Sequence, residues 1–168
     1  AKNGGTLTID GAALEKSGDD TNGDNCNFYG INAISLTVGS GSTTKIANST
    51  LNATSEGSNA IFATDSGTVY ANQDTITTSA GNSRGLDATY DGTIIANGMN
   101  ISTLGDHCAT LATDRGGGNV SVTNSTLNTS GSGSPLLYST GDIEVDHVTG
   151  TASGSQLAGM EGLNTILI

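Results

Sequence analysis

The sequence predicts an all-β chain folded as a right-handed parallel β-helix, a solenoid of about six to seven coils with about 23–26 residues per coil. Three observations predict it. An apolar strand motif closed by Asn or Asp recurs along the chain, a second apolar motif recurs in phase with it, and both alternate apolar and polar residues over three to five positions. Short alternating runs broken by Gly, Ser, Asp and Asn are the pattern of half-buried strands, and no segment carries a useful helical period.

The first motif appears as Leu7-Thr8-Ile9-Asp10, Lys45-Ile46-Ala47-Asn48, Val69-Tyr70-Ala71-Asn72, Ile94-Ile95-Ala96-Asn97, Val120-Ser121-Val122-Thr123 and Ile143-Glu144-Val145-Asp146. Its anchors Ile46, Ala71, Ala96, Val122, Val145 and Ile168 are 25, 25, 26, 23 and 23 residues apart, whereas Ile9 and Ile46 are 37 apart. The excess marks an inserted loop at residues 15–28. A third strand position follows the first five of these copies, at Leu14, Leu51, Ile76, Ile101 and Leu127.

The second motif aligns Tyr29–Ala33 with Asn59–Ala63, Arg84–Ala88, Cys108–Ala112 and Pro135–Ser139. This alignment places Ile31, Ile61, Leu86 and Leu137 inside, and Ala33, Ala63, Ala88 and Ala112 where space is tight. Asn48, Asn72, Asn97 and Asn124 fall at a turn, where Asn tolerates unusual backbone angles. Residues 1–168 are read as one β-helix domain, a piece of a longer solenoid. Thr165–Ile168 repeats the start of a coil, so further coils or end-to-end stacking with another copy are expected beyond it.

Charge narrows the partners. Asp and Glu number 16 against 5 Lys and Arg, a net charge of −11, which repels phosphate backbones and anionic lipid surfaces. Nucleic acid is therefore not an expected partner. No apolar stretch is long enough to span a membrane, so insertion is not expected either.

The repeats Ser58–Thr64, Ser83–Thr89 and Gly92–Ala96 resemble adhesin-type right-handed parallel β-helix proteins of bacterial cell surfaces. The resemblance covers nearly the whole chain and concerns its architecture. It implies an extracellular or cell-surface module with a structural or adhesive role, and a glycan or a surface protein as partner. Pectate-lyase-like enzymes share this fold, so a polysaccharide lyase or glycoside hydrolase is the alternative.

Charged side chains are rare in the repeats except on two neighbouring coils, where Arg84, Asp87, Asp91, Asp106, His107, Asp114 and Arg115 gather. Alternation points Asp87 outward, in one ladder with Asn32, Phe62, Leu111 and Tyr138. The candidate ligand-binding set is thus Phe62, Arg84, Asp87, Asp91, His107, Asp114, Arg115 and Tyr138. Neighbouring carboxylates suit sugar binding or acid–base work on a glycosidic bond. Asp-Gly and Asp-Arg-Gly also simply make turns, with the arginines neutralising nearby acids.

Two further features add candidates. Cys26, in the insertion, and Cys108 are the only cysteines, a candidate disulfide in a secreted chain. Asp19, Asp20, Asn22 and Asp24 offer oxygens to calcium, although Asn25 stands where a calcium loop of EF-hand type needs Gly. The outward pairs Thr50/Asn52, Thr75/Thr77, Asn100/Ser102, Thr126/Asn128 and Thr149/Thr151 form a polar array, and an ice-binding face is a second alternative function.

Overall fold

The computed structural model describes residues 1–168. The first coil runs through β1 (Thr6–Asp10), β2 (Ala13–Lys16), helix α1 (Gly23–Tyr29) and β3 (Ser35–Val38). Then come β4 (Thr43–Ala47), β5 (Thr50–Ala53) and β6 (Ile61–Thr64), followed by β7 (Thr68–Asn72), β8 (Thr75–Thr78) and β9 (Leu86–Ala88). The next coils hold β10 (Gly92–Asn97), β11 (Asn100–Thr103) and β12 (Leu111–Thr113), and β13 (Gly118–Thr123), β14 (Thr126–Thr129) and β15 (Leu137–Ser139). The chain finishes with β16 (Asp142–Asp146), β17 (Thr149–Ala152), β18 (Ala158–Met160) and β19 (Thr165–Leu167).

Every third strand pairs with the next in parallel. The first sheet is β1-β4-β7-β10-β13-β16-β19, the second β2-β5-β8-β11-β14-β17, and the third β3-β6-β9-β12-β15-β18. This is the predicted parallel β-solenoid. The two six-stranded sheets span five inter-strand steps and the seven-stranded sheet six, so the fold makes about five to six turns, slightly fewer than the six to seven expected.

The core is a set of stacked ladders. Ile46, Ala71, Ala96, Val122 and Val145 face inward from the first sheet, Leu51, Ile76, Ile101 and Leu127 from the second, and Ile61, Leu86, Leu111 and Leu137 from the third. All belong to one apolar cluster. A single coil cannot enclose these side chains, so stacking supplies the apolar burial that stabilises each coil.

Many polar side chains inside the solenoid are satisfied by neighbours within and between coils, while Ser35 Oγ, Asp74 Oδ2 and Thr129 Oγ1 have no hydrogen-bond partner. Thr37 and Thr44, both fully buried, share a hydroxyl hydrogen bond of 2.6 Å. On the outer surface the Asn72 and Asn97 side chains are joined at 3.0 Å, while Asn48 and Asn124 occupy the next position with φ of 51° and 52°. The left-handed conformation there is one that Asn tolerates better than most residues.

Three expectations are corrected. Ile31 is 60% exposed, because Ser35 rather than Ile31 pairs with Ile61. The strand β3 buries Ser35 and Thr37 and leaves Leu36 and Val38 less covered, an inverted polarity that alternation alone misplaces. Leu111 faces inward beside Leu86, one residue out of the expected alignment, so Ala112 takes the outward position beside Asp87. A one-residue slip moves a strand's side chains to the opposite face. Finally, the insertion contains α1, whose N-cap is Asn22, accepting from the Asn25 N–H at 3.1 Å, and whose C-terminal cap is Gly30 with φ of 63°.

The register makes a direct comparison testable. Leu86→Ala, at a fully buried position, is expected to cost about 2–5 kcal/mol. Ile31→Ala is expected to stay within about 0.5 kcal/mol of the parent. Urea unfolding of the two variants checks both, and a larger loss from Ile31→Ala would contradict the register.

Candidate binding cleft

The outward ladder of the third sheet runs Phe62, Asp87, Ala112, Tyr138, as the strand registers require. The insertion folds back over part of this face. Gly30 lies so close to the Phe62 ring that a Cβ there would meet its Cγ at 2.4 Å, and Phe62 is fully buried. The Thr89 hydroxyl donates to the Phe28 carbonyl at 2.8 Å, and the Asn59 amide donates to the Cys26 carbonyl at 2.8 Å.

The two arginines fasten the same element. Arg84 Nη1 donates to Asn27 Oδ1 at 2.7 Å, and the Arg115 guanidinium lies 3.7 Å over the Phe28 ring, within cation–π range. Arg115 also stands 3.8 Å from the Asp24 carboxylate, a solvent-exposed pair that adds little. The expected charge cluster therefore exists, but half of its work is to hold α1 on the sheet.

Arg84 also bridges two acids, with Nη1 3.5 Å from Asp87 Oδ2 and Nη2 3.3 Å from Asp114 Oδ2. Asp87 points toward the outer face, as alternation requires, yet it is fully buried rather than exposed. The insertion above it is the reason. Neither of its oxygens has a hydrogen-bond partner, and burial pushes its carboxyl up to about 8, only partly opposed by Arg84 and reinforced by Asp114. At neutral pH Asp87 is mostly a neutral acid, so the Arg84 charge mainly serves Asp114. Burial raises the Asp114 carboxyl as well, with Arg84 opposing.

Beyond the helix the face opens into a cleft of about 230 Å³, with Arg84 and Asp114 on one wall and His107, Gly133, Pro135 and Tyr138 around the rest. Burial and the nearby Asp114 and Glu161 charges push the Tyr138 hydroxyl up to about 12, so it is a neutral donor and acceptor. His107 sits in a tight turn with φ of 57°, stacked beside Gly133. Four of the eight predicted residues, Arg84, His107, Asp114 and Tyr138, line the cleft; Asp87 lies beside Arg84 at its edge, and Phe62 is under the insertion. Arg115 lies on the α1 side, and Asp91 is apart, in a turn between the third and first sheets with φ of 61°.

Sequence reasoning missed Asn27, Phe28 and Pro135, of which the lone proline was the clearest signal. It also missed the stacked rings of Tyr29 and Tyr90, 5.8 Å apart beside Ile31 and Asp65.

The cysteines are not bridged. Both are free and buried. Cys26 donates to the Asp20 carbonyl at 3.2 Å and packs against Gly57, while Cys108 takes a place in a ladder with Ser58, Ser83 and Ser134. In that ladder each backbone N–H donates to the side chain of the next rung, and Cys108 Sγ accepts from Ser83 at 3.1 Å. Cys26 packs beside Gly57, whose neighbour Ser58 is two rungs from Cys108, roughly 10 Å at ordinary strand spacing, more than the ~7 Å between Cα atoms that a disulfide spans.

The calcium-like insertion uses its oxygens locally. Asp19 accepts from the Glu56 N–H, Asp20 from the Asn22 N–H, and Asn22 caps α1. No three His, Cys, Asp or Glu side chains converge. The Thr, Asn and Ser pairs of the second sheet do lie in register along its outer face, from β5 to β17. No family of proteins, no curated protein and no solved structure matches this chain.

The buried acid gives a pH signature. Between the ordinary carboxyl value of 3.8 and about 8, the folded chain holds a proton on Asp87 that the unfolded chain has released. Its contribution to stability is therefore full below about pH 4 and lost as pH rises through about 8. Asp87→Asn is expected to flatten that decline in a series of urea midpoints across this window. An unchanged slope would contradict the buried neutral acid.

Proposed function

We propose that the chain is a module of an extracellular or cell-surface protein, structural and adhesive, that holds a neutral glycan in the cleft beside α1. The observation that carries this reading is the Arg84–Asp87–Asp114 cluster at the edge of the cleft. Only 12% of the residues are charged, and a buried charge cluster costs free energy that apolar residues would not. Such a cluster beside an opening is a candidate binding site on physical grounds. Asp114 offers acceptor oxygens, Arg84 spare N–H donors, and Tyr138 both a ring face and a hydroxyl, a set suited to the hydroxyl-rich edge and apolar face of a sugar.

Charge favours a neutral ligand. A chain of net charge −11 repels uronate-rich polymers, and the Arg84 charge is already engaged by Asp114. Binding is favoured over hydrolysis for a geometric reason. A glycosidase of the usual type needs two carboxyl groups flanking the scissile bond. Here Asp87 has no exposed surface, and Asp114 is the one acid among the residues that line the cleft, with Glu161 nearby beside the Tyr138 hydroxyl.

A glycan array of neutral and uronate-containing oligosaccharides, with and without calcium, tests the reading. Neutral glycans are expected to bind. Tyr138→Ala and His107→Asn are each expected to weaken binding at least about tenfold, while shifting the melting temperature by no more than about 2 °C. Absence of glycan binding, or binding that neither variant alters, would overturn it.

A further inference from the structure

The outer face of the first sheet is distinct from the cleft and has its own pattern. Along its centre the strand registers stack Thr8, Lys45, Tyr70, Ile95, Ser121, Glu144 and Leu167. Three large apolar residues in this one row are exposed, Tyr70 by 46%, Ile95 by 44% and Leu167 by 56%. Aligned apolar exposure along one sheet face is the mark of an interaction surface, more so than the same residues scattered.

The charges on this row are placed symmetrically. β10, carrying Ile95, is the middle strand of the seven. Lys45 on β4 lies two strands to one side and Glu144 on β16 two strands to the other. Neither makes a salt bridge within the chain, whose ion pairs involve only Arg84, Arg115 and His147.

We infer that this face is a self-complementary surface that pairs with a second copy of the chain about a two-fold axis parallel to the strands and passing at Ile95. Such an axis reverses strand order while keeping position along each strand. Ile95 then meets Ile95 of the second copy, Tyr70 meets Ser121, and Lys45 meets Glu144 twice, as an isologous interface requires. The other acids of β16, Asp142 and Asp146, fall opposite Thr43 and Ala47, so no two carboxylates are opposed. A two-fold about a different strand would lose the Lys45–Glu144 match.

Size sets the strength. Seven strands by about five residues is roughly 30 Å by 16 Å, or about 500 Å² per copy, against about 800 Å² per partner in a standard stable interface. The net charge of −11 on each copy opposes association further. The dimer is therefore weak and concentration-dependent, suited to chains held together on a surface.

Sedimentation equilibrium from roughly 10 µM to 1 mM, the range of a weak dissociation constant, tests the inference. A reversible monomer–dimer equilibrium is expected. Ile95→Asp, which sets two acids against each other on the axis, is expected to leave the chain monomeric with an unchanged circular dichroism spectrum. Lys45→Glu is expected to weaken the dimer at least about tenfold, and Lys45→Glu with Glu144→Lys in the same chain to restore it. A parent chain that stays monomeric throughout, a dimer indifferent to Ile95→Asp, or a double swap that fails to restore association would each overturn it. Assembly through the ends of the solenoid gives the second of these outcomes.

Discussion

Each coil must present its residues directly over those of the coil before it, about 4.8 Å away, and the rest of the structure follows from that constraint. Coil length is held near 25 residues because only then do Ile61, Leu86 and Leu111 share one ladder while Leu51, Ile76 and Ile101 share another. Backbone contact follows too. At the row Ala80, Gly105, Gly131 and Gly154 successive coils touch, so that a Cβ on Gly131 would lie 1.8 Å from the Gly105 carbonyl oxygen. Glycine there serves close approach.

The same constraint lets a narrow interior hold polar groups. Stacking sets residues of successive coils at a fixed distance, and the Ser58–Ser83–Cys108–Ser134 ladder turns that into a continuous set of hydrogen bonds. Cys108 stands where its neighbours are serines, which explains a buried free thiol. Ser35, Asp74 and Thr129 each leave one buried side-chain oxygen unpartnered, and Asp87 leaves both. Its unpartnered oxygens lie under the insertion, beside the guanidinium that also reaches the cleft. A group left unsatisfied in a fold that satisfies most others is where function is to be sought.

The fold was legible in the sequence because a ladder repeats a residue type at a fixed interval, and Ile46, Ala71, Ala96 and Val122 carry that signal plainly. Where the interval is broken the reading slipped. Ile31 looked like a ladder residue, but it follows the insertion, and the true partner of Ile61 is the polar Ser35. Cys108–Ala112 aligned one residue early because small residues on both sides of Leu111 gave alternation no anchor. Gathering of the charged residues was also legible, since Arg84, Asp87 and Asp114 occupy related positions on adjacent coils. Burial of Asp87 was not, because it depends on where residues outside the repeat fold back. Asn22 and Gly30 offered the one local hint, a helix start and stop around a short polar segment.

Removing one whole coil tests the stacking account most directly. Asn97 and Thr123 are register partners 26 positions apart, so deleting residues 97–122 joins Ala96 to Thr123 with every ladder kept in phase. That chain is expected to retain its β-sheet circular dichroism spectrum and to unfold cooperatively in urea, with a somewhat lower midpoint. Deleting only 97–121 leaves Val122 in the outward place of Thr123 and is expected to abolish cooperative unfolding. Equal stability of the two deletions would contradict the account.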